Sequence, residues 1–180
     1  VPEESLVEKP TNITFEQAAG VYMAASTALQ GLRDRGGIQS GHKVLINGAS
    51  GGVGTFAVQM AKSFGAEVTA VCSTRNVDMV RTIGADHVVD YTQEDLTQGE
   101  RRYDLMFDTI GNHSLATCRD LLVSGGKYLM VGMPTGRWIK PLPRVIVAIL
   151  LSRFMSKKMV LVDTKLNNDD LHTLKGLLED

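Results

Sequence analysis

The chain has 180 residues, of which 43% are hydrophobic and 22% are charged. Its 19 basic and 20 acidic side chains leave a net charge of −1, which excludes both a broadly basic nucleic-acid-binding surface and an acidic disordered chain. The length is sufficient for one domain with a sizeable hydrophobic core.

Residues 1–35 are predicted to precede the main domain. Thr14 and Gln17 have the spacing of a capping box, in which each side chain bonds to the backbone N–H of the other residue at a helix start. The alanine-rich stretch that follows, residues 18–32, should be helical, and the pair Gly36-Gly37 ends it. We therefore divide the chain into a connecting segment with helices, residues 1–35, and a domain formed by residues 36–180.

Six short runs rich in apolar and β-branched residues follow. They are Lys43–Ile46, Glu67–Cys72, His87–Val89, Leu105–Phe107, Lys127–Val131 and Met159–Val162. Helical spacing of apolar residues separates most of them, and a last helix is predicted after Asn168. Short apolar strands that alternate with helices are typical of a parallel sheet covered on both faces. The sequence thus predicts a doubly wound α/β fold, a three-layer αβα domain of the Rossmann type.

A glycine-rich loop, Asn47–Gly54, lies between the first predicted strand and its helix. Backbone N–H groups and the positive end of a helix dipole can bind the negative charges of a pyrophosphate. In the pattern Ala49-x-Gly51-x-x-Gly54, Gly51 allows the backbone to approach the pyrophosphate, and Gly54 allows the helix to pack against the strand. A tight turn without a ligand is the alternative, but the strand before the loop and the helix after it favour a dinucleotide site.

The end of the second strand indicates which dinucleotide binds. An NAD site carries Asp or Glu about 20 residues after the glycine loop, where the carboxylate accepts hydrogen bonds from the ribose. Here Cys72 stands 21 residues after Gly51 and is followed by Ser73-Thr74-Arg75-Asn76. Two hydroxyls and a guanidinium can bind a 2′-phosphate, and no carboxylate is present there to repel it. We therefore predict NADPH. In the alternative interpretation, Ser73 or Thr74 only caps the next helix and Arg75 is solvated.

An ordered set of motifs resembles the medium-chain dehydrogenase/reductases, and within them the zinc-independent, zeta-crystallin-like quinone oxidoreductases. The motifs are Ala49–Gly54, Cys72–Arg75, Gly84–Val88, Asp90-Tyr91, Tyr103-Asp104, Asp108–Gly111 and Gly125–Gly132, with Ala18-Ala19 and Ser26–Leu29 upstream. The resemblance implies a cofactor-binding domain whose catalytic counterpart in the family mostly precedes it. Residues that orient the substrate come largely from that counterpart, so we assign no catalytic residue. Most family members pair through an edge of this domain, which implies a homodimer.

The resemblance also assigns cofactor roles along the first three strands. Ser50–Val53 would hold the pyrophosphate, while Ser73, Arg75 and Tyr91 would contact the adenosine end with its 2′-phosphate. Without the family, Tyr91 is equally well explained as an ordinary aromatic residue at a strand end.

Further positions are assigned toward the nicotinamide. Ile110-Gly111 and Gly132-Met133 would line the groove, and Thr27 would lie near the nicotinamide phosphate, whereas Asn47 and Thr109 are interpreted as structural. The predicted cofactor-binding residues are Thr27, Ser50, Gly51, Gly52, Val53, Gly54, Ser73, Arg75, Asn76, Tyr91, Ile110, Gly111, Gly132 and Met133.

No metal site is predicted. Zinc-dependent relatives carry a cysteine ligand just before the Ser-Thr pair that Ser26-Thr27 matches, and Met23 stands at that position here. A thioether in place of a thiolate is a poor zinc ligand. The four histidines are scattered along the chain and are interpreted as surface residues.

The resemblance implies hydride transfer from NADPH to a small molecule, a quinone, an enone or a similar electron-poor C=C or C=O group. Two alternatives remain open: a nucleotide-binding module without turnover, or an enoyl-thioester reductase. RNA binding, which occurs among zeta-crystallin relatives, is a third hypothesis, and the neutral charge speaks against it.

Cysteine usage and hydropathy indicate the compartment. Cys72 and Cys118 match no disulfide framework, and the acidic N-terminus is unlike a secretory signal. The longest apolar run, Val145–Leu151, is too short to cross a bilayer. The wider apolar segment Arg144–Met155 is expected to pack against protein rather than to lie on a membrane, because it has no Lys/Arg-rich face. Left exposed, it would promote self-association. We expect a cytoplasmic protein without membrane partners.

Overall fold

The computed structural model describes residues 6–131, 157–165 and 167–179. Its helices are α1 (Phe15–Gln30), α2 (Gly52–Ser63), α3 (Val77–Thr82), α4 (Leu115–Asp120) and α5 (Asn168–Glu179), with a π-helical turn at Gly31–Gly36 and a 3₁₀ turn at Thr74–Asn76. Its strands are β1 (Lys43–Asn47), β2 (Glu67–Cys72), β3 (His87–Asp90), β4 (Tyr103–Asp108), β5 (Leu122–Met130) and β6 (Lys158–Leu161). Each of the six predicted strands is therefore present.

Within the described part of the chain the six strands form one parallel sheet in the order β3-β2-β1-β4-β5-β6. The last residue of β1, Asn47, lies in register with Val71 of β2 and Asp108 of β4. β2 and β3 follow one another on one side of β1, whereas β4, β5 and β6 follow one another on its other side, so the direction in which strands are added reverses between β3 and β4. Such a reversal leaves a crevice at the carboxyl ends of the central strands, where doubly wound domains bind ligands.

Alternate residues of the strands build a core on each face of the sheet. On one face Val44 and Ile46 pack with residues of α1, α2, α3 and α5. On the other face Leu45 and Met106 pack around Cys118 of α4 and Tyr128 of β5. Burial on both faces explains why the strands are nearly continuous apolar runs, and it confirms the predicted doubly wound fold.

The N-terminal helix begins as predicted. The Gln17 N–H donates to the Thr14 hydroxyl (3.2 Å), and the Thr14 N–H donates to the Gln17 side chain (2.9 Å), which completes the capping box. The second half of α1 is buried in the same core as the sheet. The division of the chain at residue 35 stays a prediction.

This helical region breaks at the predicted pair Gly36-Gly37, but its last part was not predicted. After Gln30 the chain continues as a π-helical turn, Gly31–Gly36, which is capped by Gly37, whose φ of +62° is a left-handed conformation favouring glycine. At Gly31 a Cβ atom would come within 2.5 Å of the Phe107 ring, so the backbone lies directly on the sheet. This packing, which involves a residue of β4, is invisible in the local helical pattern.

A buried carboxylate fastens α5 to α1. Asp170 is only 3% exposed and accepts hydrogen bonds from Gln30 Nε2 (2.6 Å), Arg33 Nη2 (2.5 Å) and Asn167 Nδ2 (2.8 Å). Burial raises the pKa of the Asp170 carboxyl, but the hydrogen bonds from Arg33, Gln30 and Asn167 outweigh burial and leave the pKa below its ordinary value of 3.8. The network therefore stabilises the fold while Asp170 is ionised.

Asp170→Asn is expected to lower the free energy of unfolding by about 1–2 kcal/mol at pH 7, because the amide keeps the shape but loses the charged partner of Arg33. Since the folded pKa lies below the unfolded one, this stabilisation is present above pH 3.8 and disappears as the pH falls toward the folded pKa. Denaturant unfolding from pH 3 to pH 7 measures it. Asp169→Asn, an exposed neighbour in the same helical turn, is the control. Equal losses in both variants would contradict the prediction.

No helix among the described residues combines the length and the apolar character needed to span a membrane. The apolar segment Arg144–Met155 and two predicted site residues, Gly132 and Met133, lie outside the described residues.

Candidate functional site

A cleft of about 1230 Å³ opens at the carboxyl ends of β1 to β4. We call it the edge cleft. Most of the predicted cofactor-binding residues line it, and these are Ser50, Gly51, Gly52, Val53, Gly54, Ser73, Arg75, Asn76, Tyr91 and Ile110. The fold thus brings together residues from four separate connections, which follow β1, β2, β3 and β4.

Two glycines of the loop after β1 are required by packing. Gly48 has φ +84°, and a Cβ there would come within 2.2 Å of Thr109 Oγ1. A Cβ on Gly54 would lie 2.1 Å from the carbonyl oxygen of Gly48 and 2.8 Å from Ala49 Cα. Gly54 therefore lets α2 approach the end of β1, the packing role predicted from its place in the fingerprint.

The other two glycines are not required by the chain itself. A Cβ on Gly52 would meet nothing within 4 Å, and a Cβ on Gly51 would make only ordinary contact, 3.4 Å from Gly48 O. Their lack of a side chain keeps the floor of the edge cleft open at the start of α2. The first turn of this helix carries no acidic residue, and the first N–H groups of a helix have no intrahelical partners. This open cradle with a positive dipole end fits a pyrophosphate.

Asn76 joins this loop to the turn after β2. Its Nδ2 donates to Ser50 Oγ (3.0 Å) and to Ser73 Oγ (3.2 Å). Neither Ser73 nor Asn76 makes a side-chain capping hydrogen bond, while the Thr74 hydroxyl pairs with Thr92 Oγ1 at 2.7 Å. The helix-capping role of the alternative interpretation is therefore absent at these positions.

Arg75 is exposed and lines the edge cleft. Within the described part of the chain it has no hydrogen-bond or ion-pair partner, in contrast to Arg33, Arg81 and Arg119, each of which faces an aspartate. Its guanidinium is thus available to an anion that enters the cleft.

A carboxylate lies closer to this region than the sequence indicated. Asp90, the last residue of β3, is in register with Cys72 at the end of β2. A hydrogen bond from the Thr74 hydroxyl, followed by the Thr92 N–H and hydroxyl, outweighs desolvation and lowers the pKa of Asp90. Asp90 does not line the edge cleft. Its carboxylate is bound by its threonine neighbours, whereas Arg75 is open to the cleft.

Cys72 and Tyr91 complete this side of the cleft. Burial, followed by the negative charge of Asp90, raises the pKa of the Cys72 thiol, so the sulfur is protonated at neutral pH and is a poor nucleophile. Tyr91 is 63% exposed, its ring lines the cleft, and its backbone N–H donates to Cys72 O at 3.1 Å. The tyrosine is therefore placed at the strand end with its side chain free of the core.

On the opposite side of the loop, Asn47 and Thr109 connect β1 to β4. Asn47 Nδ2 donates to Asp108 Oδ1 and to Asn112 Oδ1, both at 2.9 Å, and the Thr109 hydroxyl donates to Asn47 O at 2.8 Å. These are the structural contacts expected of both residues, although both also line the edge cleft. Gly111, which was predicted to line the groove together with Ile110, is buried and does not line the edge cleft, and its N–H donates to Asp108 Oδ1 at 2.9 Å.

Thr27 lies elsewhere. It is buried in α1, donates its hydroxyl hydrogen bond to Met23 O (2.7 Å) and accepts one from the Thr164 hydroxyl (3.0 Å), and it does not line the edge cleft. Met23 itself is largely exposed. Across residues 6–131, 157–165 and 167–179, no three His, Cys, Asp or Glu side chains are grouped so that they could hold a metal ion.

Sequence reasoning missed a second wall of the edge cleft. The residues concerned follow β3 and β4 and are Thr92, Gln93, Glu94, Asp95, Leu96, Asn112 and His113. They belong to no glycine motif. The available signal was their position just after two predicted parallel strands, whose carboxyl ends meet at one edge of the sheet.

Comparison with known proteins identifies the family. Residues 52–161 match the zinc-binding dehydrogenases. The chain belongs to this family. The mitochondrial NAD(P)H oxidoreductase RTN4IP1 of Danio rerio is 39% identical over 135 residues, which are 70% of this chain and 35% of that protein. The chloroplastic NADPH-dependent alkenal/one oxidoreductase of Arabidopsis thaliana is 40% identical over 131 residues, 72% of this chain and 33% of that protein.

Among solved structures, the quinone oxidoreductase from Coxiella burnetii matches with a TM-score of 0.78 at 28% identity, over 96% of this chain and 52% of that one. The predicted membership of the medium-chain dehydrogenase/reductases is thus confirmed. This family member spans about a third of the length of the two curated relatives and about half of the solved structure. Because those relatives are mitochondrial and chloroplastic, the cytoplasmic location stays a prediction. The homodimer also stays a prediction, since no comparison tests it.

Proposed function

We propose that this chain binds NADPH in the edge cleft and presents it for hydride transfer to an electron-poor C=C or C=O group, as in a quinone or an enone, without a metal ion. The observation that carries the proposal is the combination of an open glycine cradle after β1 with an Arg75 after β2 that has no hydrogen-bond or ion-pair partner among the described residues. The first feature fits a pyrophosphate and the second fits a 2′-phosphate.

Each part of the edge cleft has a separate task in this proposal. The N–H groups at the start of α2 bind the pyrophosphate, and Gly51 and Gly52 leave room for it. Asn76 holds Ser50 and Ser73 at a fixed separation, so that the pyrophosphate and the 2′-phosphate are bound at the right spacing. When bound, the nicotinamide supplies the hydride, and the chain supplies orientation and electrostatics.

The names of the relatives support the choice of acceptor. An alkenal/one oxidoreductase and a quinone oxidoreductase both act on conjugated carbonyl compounds by name, and the former is NADPH-dependent by name. Enoyl thioesters belong to the same chemical class of conjugated acceptors, so an enoyl-thioester reductase is the variant of this proposal that an acceptor panel separates.

Titration of the purified chain with NADPH and with NADH, followed by nicotinamide fluorescence, tests the cofactor. We expect NADPH to bind at least about tenfold more tightly than NADH, because only NADPH places a phosphate dianion near Arg75. Equal affinities would remove the 2′-phosphate assignment and leave a dinucleotide site. Binding of neither nucleotide would overturn the proposal.

Turnover is tested separately. NADPH oxidation is followed with a quinone, an enone and an enoyl thioester as acceptors, with and without a zinc chelator. Oxidation with one of the three, unchanged by the chelator, supports the metal-free reductase and identifies the acceptor class. Tight NADPH binding without oxidation of any acceptor favours the nucleotide-binding module over the enzyme.

A further inference from the structure

Asp108, the last residue of β4, is a carboxylate with no solvent exposure. Its Oδ1 accepts hydrogen bonds from Asn47 Nδ2 (2.9 Å) and from the backbone N–H groups of Ile110 (3.0 Å) and Gly111 (2.9 Å). Its Oδ2 accepts one from the Tyr128 hydroxyl at 2.8 Å. Burying a carboxylate without a cation is costly unless several donors surround it, and no ion pair of Asp108 occurs in the described ranges.

The donors around Asp108 come from two other strands and one loop. Asn47 ends β1, Tyr128 lies in β5, and the two backbone N–H groups belong to the loop that places Ile110 and Asn112 on the wall of the edge cleft. Asn47 extends the network, because its Nδ2 also donates to Asn112 Oδ1 at 2.9 Å. A single buried carboxylate thus determines the course of this loop.

The order of the strands shows which part of a dinucleotide this loop faces. Arg75 and Tyr91 follow β2 and β3, on one side of the glycine loop that follows β1, whereas the Asp108 loop follows β4, on the other side. A dinucleotide whose pyrophosphate lies on the central loop and whose 2′-phosphate lies near Arg75 must extend its second nucleoside toward β4.

We infer that Asp108 is a positioning residue for the nicotinamide half of the cofactor: it fixes the Ile110–Asn112 loop against which that half binds. This inference rests on the proposed NADPH site. Asp108 acts through the loop and does not touch the ligand itself, since it is fully buried and does not line the edge cleft.

The test compares a whole dinucleotide with its adenosine half. Asp108→Ala removes every acceptor, so we expect affinity for NADPH to fall at least about tenfold. Affinity for 2′,5′-ADP should stay within about twofold, because that ligand ends before the loop. Asp108→Asn should recover most of the loss, since its amide oxygen can accept the same three N–H bonds and its NH₂ can donate to Tyr128. Calorimetric titration with both ligands, together with the melting temperature of each variant, provides the readout.

Two further variants keep the test decisive if Asp108→Ala fails to fold. Tyr128→Phe removes one donor and should weaken NADPH about threefold without changing 2′,5′-ADP. Asp104→Asn, at the opposite end of β4, where the carboxylate accepts the Lys43 N–H, is the matched control and should leave both affinities unchanged. Parallel losses for both ligands, or no loss for either, in the Asp108 and Tyr128 variants would overturn the inference. A native chain that binds neither ligand would instead overturn the proposed function.

Discussion

Gly54→Ala is expected to destabilise the fold strongly. The added Cβ would lie 2.1 Å from the carbonyl oxygen of Gly48 and 2.8 Å from Ala49 Cα, and both are backbone atoms. Neither can move without displacing the end of β1 from the centre of the sheet. We expect the free energy of unfolding to fall by about 3 kcal/mol, the upper part of the range for overpacked sites. Denaturant unfolding followed by far-UV circular dichroism measures the loss.

Gly51→Ala is the matched control for this experiment. Gly51 has φ −80° and ψ 167°, which alanine adopts without strain, and its Cβ would make ordinary contact at 3.4 Å. We expect unchanged stability within about 0.5 kcal/mol but a large loss of NADPH affinity, because the new methyl group enters the space assigned to the pyrophosphate. The Gly54 prediction would be contradicted if both variants unfolded at the same denaturant concentration.

The contrast between these glycines shows why a fingerprint is readable in a sequence. Gly54 satisfies a steric requirement of the fold, and Gly51 leaves space that only a ligand needs, yet both belong to one short pattern with one spacing. The strands were predictable for a related reason. A parallel strand buried on both faces must be apolar at almost every position, and β1, β2 and β4 satisfy that condition locally.

The parts of the fold that escaped prediction depend on distant neighbours. β5 begins at Leu122, five residues before its predicted start. The prediction began too late because Ser124-Gly125-Gly126 has the composition of a turn. In the structure a Cβ added to Gly126 would lie 3.0 Å from the carbonyl oxygen of Tyr103. The pairing register of β4 with β5 shifts between Tyr103 and Leu105. The short helix α4 was not predicted individually, since it is only six residues long and Cys118 is its one buried residue.

The candidate site divides in the same way. The loop after β1 and the turn after β2 were predicted because their chemistry is contained in consecutive residues. The position of Asp90 beside Cys72 and the network around Asp108 were not, because both depend on the register between strands. Asp90 is an example: this carboxylate lies 18 residues beyond Cys72 in sequence but is in register with it across β2 and β3. Only the structure shows that the Thr92 N–H and hydroxyl donate to it and that the Thr74 hydroxyl pairs with Thr92.

Arg75→Gln is therefore expected to alter the choice of nucleotide rather than nucleotide binding as such. The Arg75 side chain lines the edge cleft and has no partner in the part of the chain that the structure describes. A hydrogen bond between a guanidinium and a phosphate dianion contributes about 2 kcal/mol. We expect the NADPH dissociation constant to rise about 30-fold, while that for NADH changes less than about twofold. Stability should be unaffected, since Arg75 is exposed and the substitution breaks no hydrogen bond or ion pair within the described residues.

Arg101→Gln is the control for a general loss of positive charge. Arg101 is exposed at the opposite edge of the sheet, just before β4, and should leave both dissociation constants unchanged. The preference of the native chain for NADPH should also shrink as salt is raised, because an exposed charge pair is screened. Equal weakening of NADPH and NADH in Arg75→Gln would show that the arginine binds the pyrophosphate. In that case the preference for NADPH would have to come from the Ser73 hydroxyl and Tyr91, which lie at the same end of the cleft.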